Sequence, residues 1–140
     1  LGEKLSHACV MRRCHDIIGD DRIYQFGIRS GDREEFIWAR DHVFMQKFNF
    51  DRLDAVIEIL RDKPVYLTID LDVLDPSVFP GTGTPEAGGV SFSELLAALN
   101  RVFTLNIVAA DITELSPVYD QSGVSTAVAC KLLREILLQL

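Results

Sequence analysis

Cysteine is scarce in this chain and poorly placed for chemistry. Cys9, Cys14 and Cys130 are odd in number and in no Cys-x-x-Cys spacing, which speaks against a disulfide framework and for a reducing, cytoplasmic compartment. Long hydrophobic runs are also missing. Apolar residues make up 48% of the chain, yet no run approaches the length needed to span a membrane. Positive charge is in short supply, with 14 Lys and Arg against 21 Asp and Glu and a net charge of −7. That balance argues against nucleic acid as a partner and mildly favours cationic ligands. There is no signal-peptide pattern at the start, no internal repeat and no low-complexity segment. The chain opens on Leu1-Gly2 with no initiator Met, so a fragment is expected, although 140 residues suffice for one domain with a real core.

What is present is organised around Pro64-Val65-Tyr66-Leu67-Thr68-Ile69-Asp70-Leu71-Asp72. Val65, Leu67, Ile69 and Leu71 alternate with Tyr66, Thr68, Asp70 and Asp72, the period-2 pattern of a strand. Both faces are largely apolar before the last three residues, which predicts a strand of a parallel sheet covered on both sides. Asp70 and Asp72 then fall on one face, about 6.5 Å apart along the strand. Two such carboxylates in apolar surroundings require a compensating cation, so the pair points to a metal. The connection that follows, through Asp75, Pro76, Pro80-Gly81-Thr82-Gly83-Thr84-Pro85 and Gly88-Gly89, is far longer than an ordinary loop. Its three prolines predict an ordered wall.

Around this stretch, strands and helices alternate. Ser6 is placed to cap a helix over roughly His7 to Ile18, ended by Gly19. Ile23 to Ile28 reads as a short buried strand with Arg29-Ser30-Gly31-Asp32 as its exit. Glu34 to His42 reads as a helix and Val43 to Phe48 as a strand. Asn49 or Asp51 is expected to cap a helix whose stripe is Leu53, Val56, Ile57 and Leu60. Ser91 and Glu94 form a capping box opening a helix to about Val102. Asn106 to Thr113 is a last apolar strand with Glu114 at its exit. An amphipathic helix whose stripe is Leu132, Leu133, Ile136 and Leu137 closes the chain, the stripe serving as core or subunit contact. The class is therefore α/β with a mainly parallel, doubly wound sheet. Ligands of such sheets bind outside the carboxyl ends of the strands, where Asp70, Asp72, Glu114 and the loop at Asp32 should gather.

Asp70-Leu71-Asp72-x-x-Asp75-Pro76, followed by Pro80-Gly81-Thr82-Gly83-Thr84-Pro85 and Gly88-Gly89, resembles the C-terminal signature of the ureohydrolases, the arginase and agmatinase family. Ser6-His7-Ala8, Phe26-Gly27-Ile28-Arg29-Ser30-Gly31 and Glu114-Leu115-Ser116-Pro117-Val118-Tyr119-Asp120 agree in order and spacing. The wording of the last two leans towards the agmatinase branch. The resemblance implies a three-layer αβα domain, of which residues 1–140 would be the C-terminal portion, holding two manganese ions bridged by hydroxide. It implies that Asp70 bridges the metals, that Asp72 binds one of them, and that Glu114 binds the substrate guanidinium. Thr84 would help hold that glutamate, and His7 would be the proton shuttle. The family's two N-terminal ligand motifs, Gly-Gly-Asp-His and Asp-Ala-His-x-Asp, are absent.

The residues report the same deficit independently. Manganese wants about six oxygen or nitrogen ligands, and two aspartates cannot complete two such sites. His7, His15, His42 and Asp111 are candidates to complete them, with His15 and His42 more readily read as ordinary surface or packing histidines. Asp111, inside an apolar strand, needs a partner and is a candidate to support the metal ligands from behind. Asp32 is a weaker candidate for reading the far end of the substrate. The cysteines are expected to be buried and inert. The function implied is hydrolysis of agmatine to putrescine and urea, a step of polyamine biosynthesis. Guanidinobutyrate, arginine and formimidoylglutamate are alternative substrates, and a non-catalytic ureohydrolase-derived module is the alternative class. The implied partner is a small cationic guanidino compound, and the intact protein is expected to self-associate. An aspartyl phosphotransferase also uses Asp-x-Asp at a strand end, but it wants Gly-Thr directly after the pair, where Val73-Leu74 stand here.

Overall fold

The computed structural model of the protein describes residues 4–139; the Leu1-Gly2 start lies outside them. The order is α1 (Val10–Ile18), β1 (Tyr24–Ile28), α2 (Arg33–His42), β2 (Phe44–Lys47), α3 (Leu53–Leu60), β3 (Pro64–Asp70), α4 (Phe92–Val102), β4 (Asn106–Thr113) and α5 (Val124–Leu137). Short 3-10 turns at His7–Cys9, Leu71–Val73 and Pro117–Tyr119 complete it. The strands pair in parallel, β1 with β2 and β3 with β4. Parallel neighbours need a helical crossover, which α2 and α4 supply. This is the α/β architecture expected.

Local chemistry fixes the helix ends. Ser91 and Glu94 close the capping box of α4 in both directions. Asp32 accepts from the Glu35 amide at 2.7 Å and caps α2, whose first turn also carries Glu34 and Glu35 where the helix dipole favours acid. Gly19, at φ 79°, ends α1. Two expected caps are not formed. The Ser6 hydroxyl faces Cys9 Sγ, and the backbone tightens into the His7–Cys9 turn before α1 begins at Val10. Asn49 and Asp51 bond one another, leaving α3 without a side-chain cap.

The core gathers Ile69 and Leu71 from β3 and its exit, Leu95 and Leu99 from α4, and Leu132 and Ile136 from α5. Phe79 and Leu74 are fully buried with them, although both belong to the long connection. That connection is pinned at its neck, where Leu74 and Val90 form a parallel bridge with bonds from Val90 N to Val73 O and from Asp75 N to Val90 O, each 3.0 Å. A side chain at Gly89 would overlap the backbone of Leu74 and Asp75, so only glycine permits this closure. The wall is ordered because it contributes to the core.

Two expectations, for β3 and for the cysteines, are corrected by the packing, and one, for α5, is refined. Only one face of β3 is covered: Val65, Leu67 and Ile69 turn inward, whereas Tyr66, Thr68 and Asp70 are exposed, with Val108 of β4 beside them. The stripe of α5 is split, with Leu132 and Ile136 buried but Leu133 and Leu137 exposed. The cysteines are not buried, since Cys9 and Cys14 are half-buried and Cys130 is exposed.

Phe79→Ala is expected to destabilise the fold by about 3–5 kcal/mol, against about 1 kcal/mol for Ser91→Ala. Urea unfolding with an unchanged slope would measure both, and a loss below about 1 kcal/mol for Phe79→Ala would show that the wall is not part of the core.

Candidate functional site

Asp70 is the last residue of β3, and its carboxylate accepts from the Asp72 amide at 2.8 Å. This bond closes the Leu71–Val73 turn and lifts Asp72 off the strand line. The two carboxylates therefore do not follow one another along an extended strand, as alternation predicted; the second is swung round by a 3-10 turn. Asp72 is half-buried, and its two oxygens accept from the hydroxyls of Thr82 and Thr84, the latter at 2.8 Å. Thr84 Oγ1 thus donates to Asp72, where the resemblance implied Glu114 as the group it helps hold. Thr82, only 3% exposed, is the more deeply set of the two.

Arg29, at the exit of β1, reaches across to this turn. Its guanidinium donates to the carbonyls of Val73 (3.0 Å), Asp72 (2.5 Å) and Glu86 (2.9 Å). One side chain so ties the strand exit to both ends of the long connection, and brings the carboxyl ends of the two strand pairs together. The other anchors are carboxylates. Asp75 accepts from the amide and hydroxyl of Ser77 and from the amides of Gly88 and Gly89, which hold its pKa down to about 2. Asp120 accepts from Ser122 and from the Ser125 amide, which lowers its carboxyl well below the usual range. The fully buried Ser125 hydroxyl in turn accepts from Gly81 N at 2.7 Å, while Gly81 O accepts from Ser116 N at 2.8 Å.

Glu114 directly follows Thr113, the register partner of Asp70. It sits at φ 71°, a left-handed conformation that costs a non-glycine residue of order 1 kcal/mol or more and persists only where surroundings impose it. It is half-buried and close enough for its charge to act on Asp70. Crowding by the protein pushes the Asp70 carboxyl above its ordinary pKa. The Asp72 amide works against this, the charges of Asp72 and Glu114 add to it, and Arg29 offsets part of it. Negative charge here exceeds what the surrounding donors balance. Hard carboxylate oxygens in that condition suit a divalent cation of the magnesium or manganese kind, with Asp70 and Asp72 as the residues able to hold it.

The other sequence candidates fall elsewhere. His7 is exposed in the turn before α1. Asp111 accepts from Tyr66 Oη (2.6 Å) and Thr68 Oγ1 (2.7 Å), so its partners are strand neighbours, not Asp70 or Asp72. Asp32 is engaged as the cap of α2. His15 and His42 do not complete the aspartate pair. They meet at Asp20, before β1, whereas Asp70 ends β3 of the other strand pair. Among the described residues, that is the one group of three or more metal-ligating side chains drawn together. The carboxylate edge fits a hard cation in kind but lacks a third protein donor among them.

Sequence reasoning gave no role to Arg29, Thr82, Asp75, Asp120 or Ser125. Thr82 and Thr84 were equally placed in the loop, and an arginine at the end of a parallel strand was the remaining visible signal.

The chain matches the family model described as "Arginase family" over residues 1–139. It is 47% identical to the agmatinase of Bacillus anthracis over 98% of this chain and 49% of that protein. It is 33% identical to the guanidinobutyrase of Pseudomonas aeruginosa over 97% of this chain and 46% of that protein. A crystal structure from Clostridium difficile, of a protein described as an agmatinase, superposes with a TM-score of 0.94 at 51% identity, covering 99% of this chain and 51% of that one. The chain spans about half the length of the relatives it matches. The sequence motifs, the parallel α/β architecture and these likenesses agree, and the chain belongs to the arginase family.

Proposed function

We propose that these residues form the C-terminal portion of a manganese-dependent agmatinase, which hydrolyses the guanidino group of agmatine to putrescine and urea. The observation that carries this reading is the convergence of Asp70, Asp72 and Glu114 on one sheet edge, with the Asp70 carboxyl raised above its ordinary pKa by the protein crowding it and Glu114 held in a left-handed conformation. Asp70 and Asp72 would hold manganese together with ligands from outside this chain. The metal, when bound, supplies Lewis acidity that lets water act as a nucleophile near neutral pH.

The chain's own residues then have separable tasks. Glu114 accepts the substrate's guanidinium through a two-bond fork that an ammonium cannot copy. That grip holds the guanidinium carbon near the attacking water, which matters because resonance makes this carbon a poor electrophile. Thr82 and Thr84 fix the orientation of Asp72. Arg29 fixes the backbone from which Asp72 projects. His7, open to solvent, carries the proton that the departing amine needs. The acidic balance of the chain favours a cationic substrate. Agmatine leads over guanidinobutyrate because the more similar relatives are agmatinases.

Urea release by the full-length protein with manganese is expected to be fastest from agmatine, then slower from guanidinobutyrate and arginine. Silence on all three would overturn the assignment, and preference for another would move it within the family. Glu114→Gln is expected to lower kcat/KM by about 10- to 150-fold, the worth of a charge-assisted hydrogen bond, while leaving thermal unfolding unchanged. The 140-residue chain alone should bind manganese at most weakly in calorimetry, and Asp70→Ala should abolish the heat; a tight two-metal isotherm would contradict the ligand count. Acid unfolding tests the wall. The Asp75 carboxyl titrates lower in the folded chain than in the unfolded one, so its contribution is complete above about pH 4 and is lost as the pH falls towards 2. Asp75→Asn should flatten the loss of stability across that window, and an unaltered profile would show that the loop is held by other means.

A further inference from the structure

The amino ends of the β1–β2 pair carry a second cluster. His15 lies in the last turn of α1, Asp20 in the turn that follows, and His42 is the last residue of α2. His15 Nε2 and His42 Nδ1 each lie 2.7 Å from the same oxygen, Asp20 Oδ1. Gly19 and Asp21, both at positive φ, wrap Asp20 back towards the helix end. Trp38 holds both rings in place, edge-on to His15 at 4.7 Å and stacked on His42 at 4.6 Å with an interplanar angle of 16°. His15 Nδ1 is buried, so Nε2 is the nitrogen this ring offers.

From this geometry we propose that His15, Asp20 and His42 form a binding site for a zinc-like divalent transition ion. Two imidazole nitrogens and one carboxylate oxygen suit zinc, nickel or copper, unlike the all-carboxylate edge that suits manganese. Two helix carboxyl ends converge here, and their partial negative charge favours a cation. A tetrahedral zinc with bonds of about 2.0–2.1 Å spreads its donors to roughly 3.3 Å, so each nitrogen would open from Asp20 Oδ1 by about half an ångström, and the three ligand atoms already lie within 4.8 Å of one another. Three protein ligands leave a fourth position for water. The ion would staple the end of α1 to the end of α2 just before β1 and β2 begin.

Zinc titration of the protein, followed by the imidazole resonances in 15N NMR, tests this. At one zinc per chain the His15 and His42 signals should shift together and saturate. His42→Gln should weaken that binding at least tenfold and remove the zinc-dependent rise in Tm it brings, whereas Asp62→Asn, exposed and outside both sites, should change neither. Should His42→Gln fail to fold, the wild-type spectra decide alone. His15 and His42 signals unmoved at excess zinc, equal zinc affinity in a folded His42→Gln variant, or loss of the effect in Asp62→Asn would each overturn the proposal.

Discussion

Carboxylates crowded at the end of a parallel strand repel one another, and much of this structure exists to hold them there regardless. Crowding by the protein raises the cost of charge at Asp70 most, and the charges of Asp72 and Glu114 add to it. Left to itself, such a group would turn to solvent or take up protons. Here a backbone amide, two threonine hydroxyls and the Arg29 guanidinium constrain the backbone and the oxygens instead. What remains unbalanced is the charge a divalent cation would neutralise.

The long connection after β3 is the scaffold for that constraint. It is built on hydrogen bonds from Gly88 and Gly89 to Asp75 and from Gly81 to the Ser125 hydroxyl, and on Phe79 and Leu74 at its centre. The two sorts of anchor complement each other. Apolar burial fixes where the loop lies, and the Asp75 network with the Ser125 hydroxyl fixes how its backbone turns. Threonines on such a loop can hold a ligand oxygen in one orientation, which a mobile loop could not do.

The molecule is chemically asymmetric along its strands. Hard oxygen donors collect at the carboxyl edge and imidazoles at the amino edge, so any metals the two edges take would differ in kind. The exposed face of β3 and β4, with Tyr66 and Val108, adjoins the carboxylate edge and shares its side with Asp70.

The sequence by itself determined the order of elements, the parallel class and the edge where Asp70, Asp72 and Glu114 meet. Each of these follows from local signals: period-2 alternation, the Ser91-Glu94 capping box, and residues standing at strand exits. The family was legible because its motif is local in the chain. Tertiary structure decided the rest. Asp72 leaves the strand because the Asp70 side chain captures its amide, a competition that alternation does not register. Thr84 donates to Asp72 because the loop folds back over the turn. Arg29 finds carbonyls more than forty residues away, and His15 and His42 find one carboxylate between them. Partners so distant in sequence leave no periodic trace, and only the packing of helices on strands brings them within a hydrogen bond.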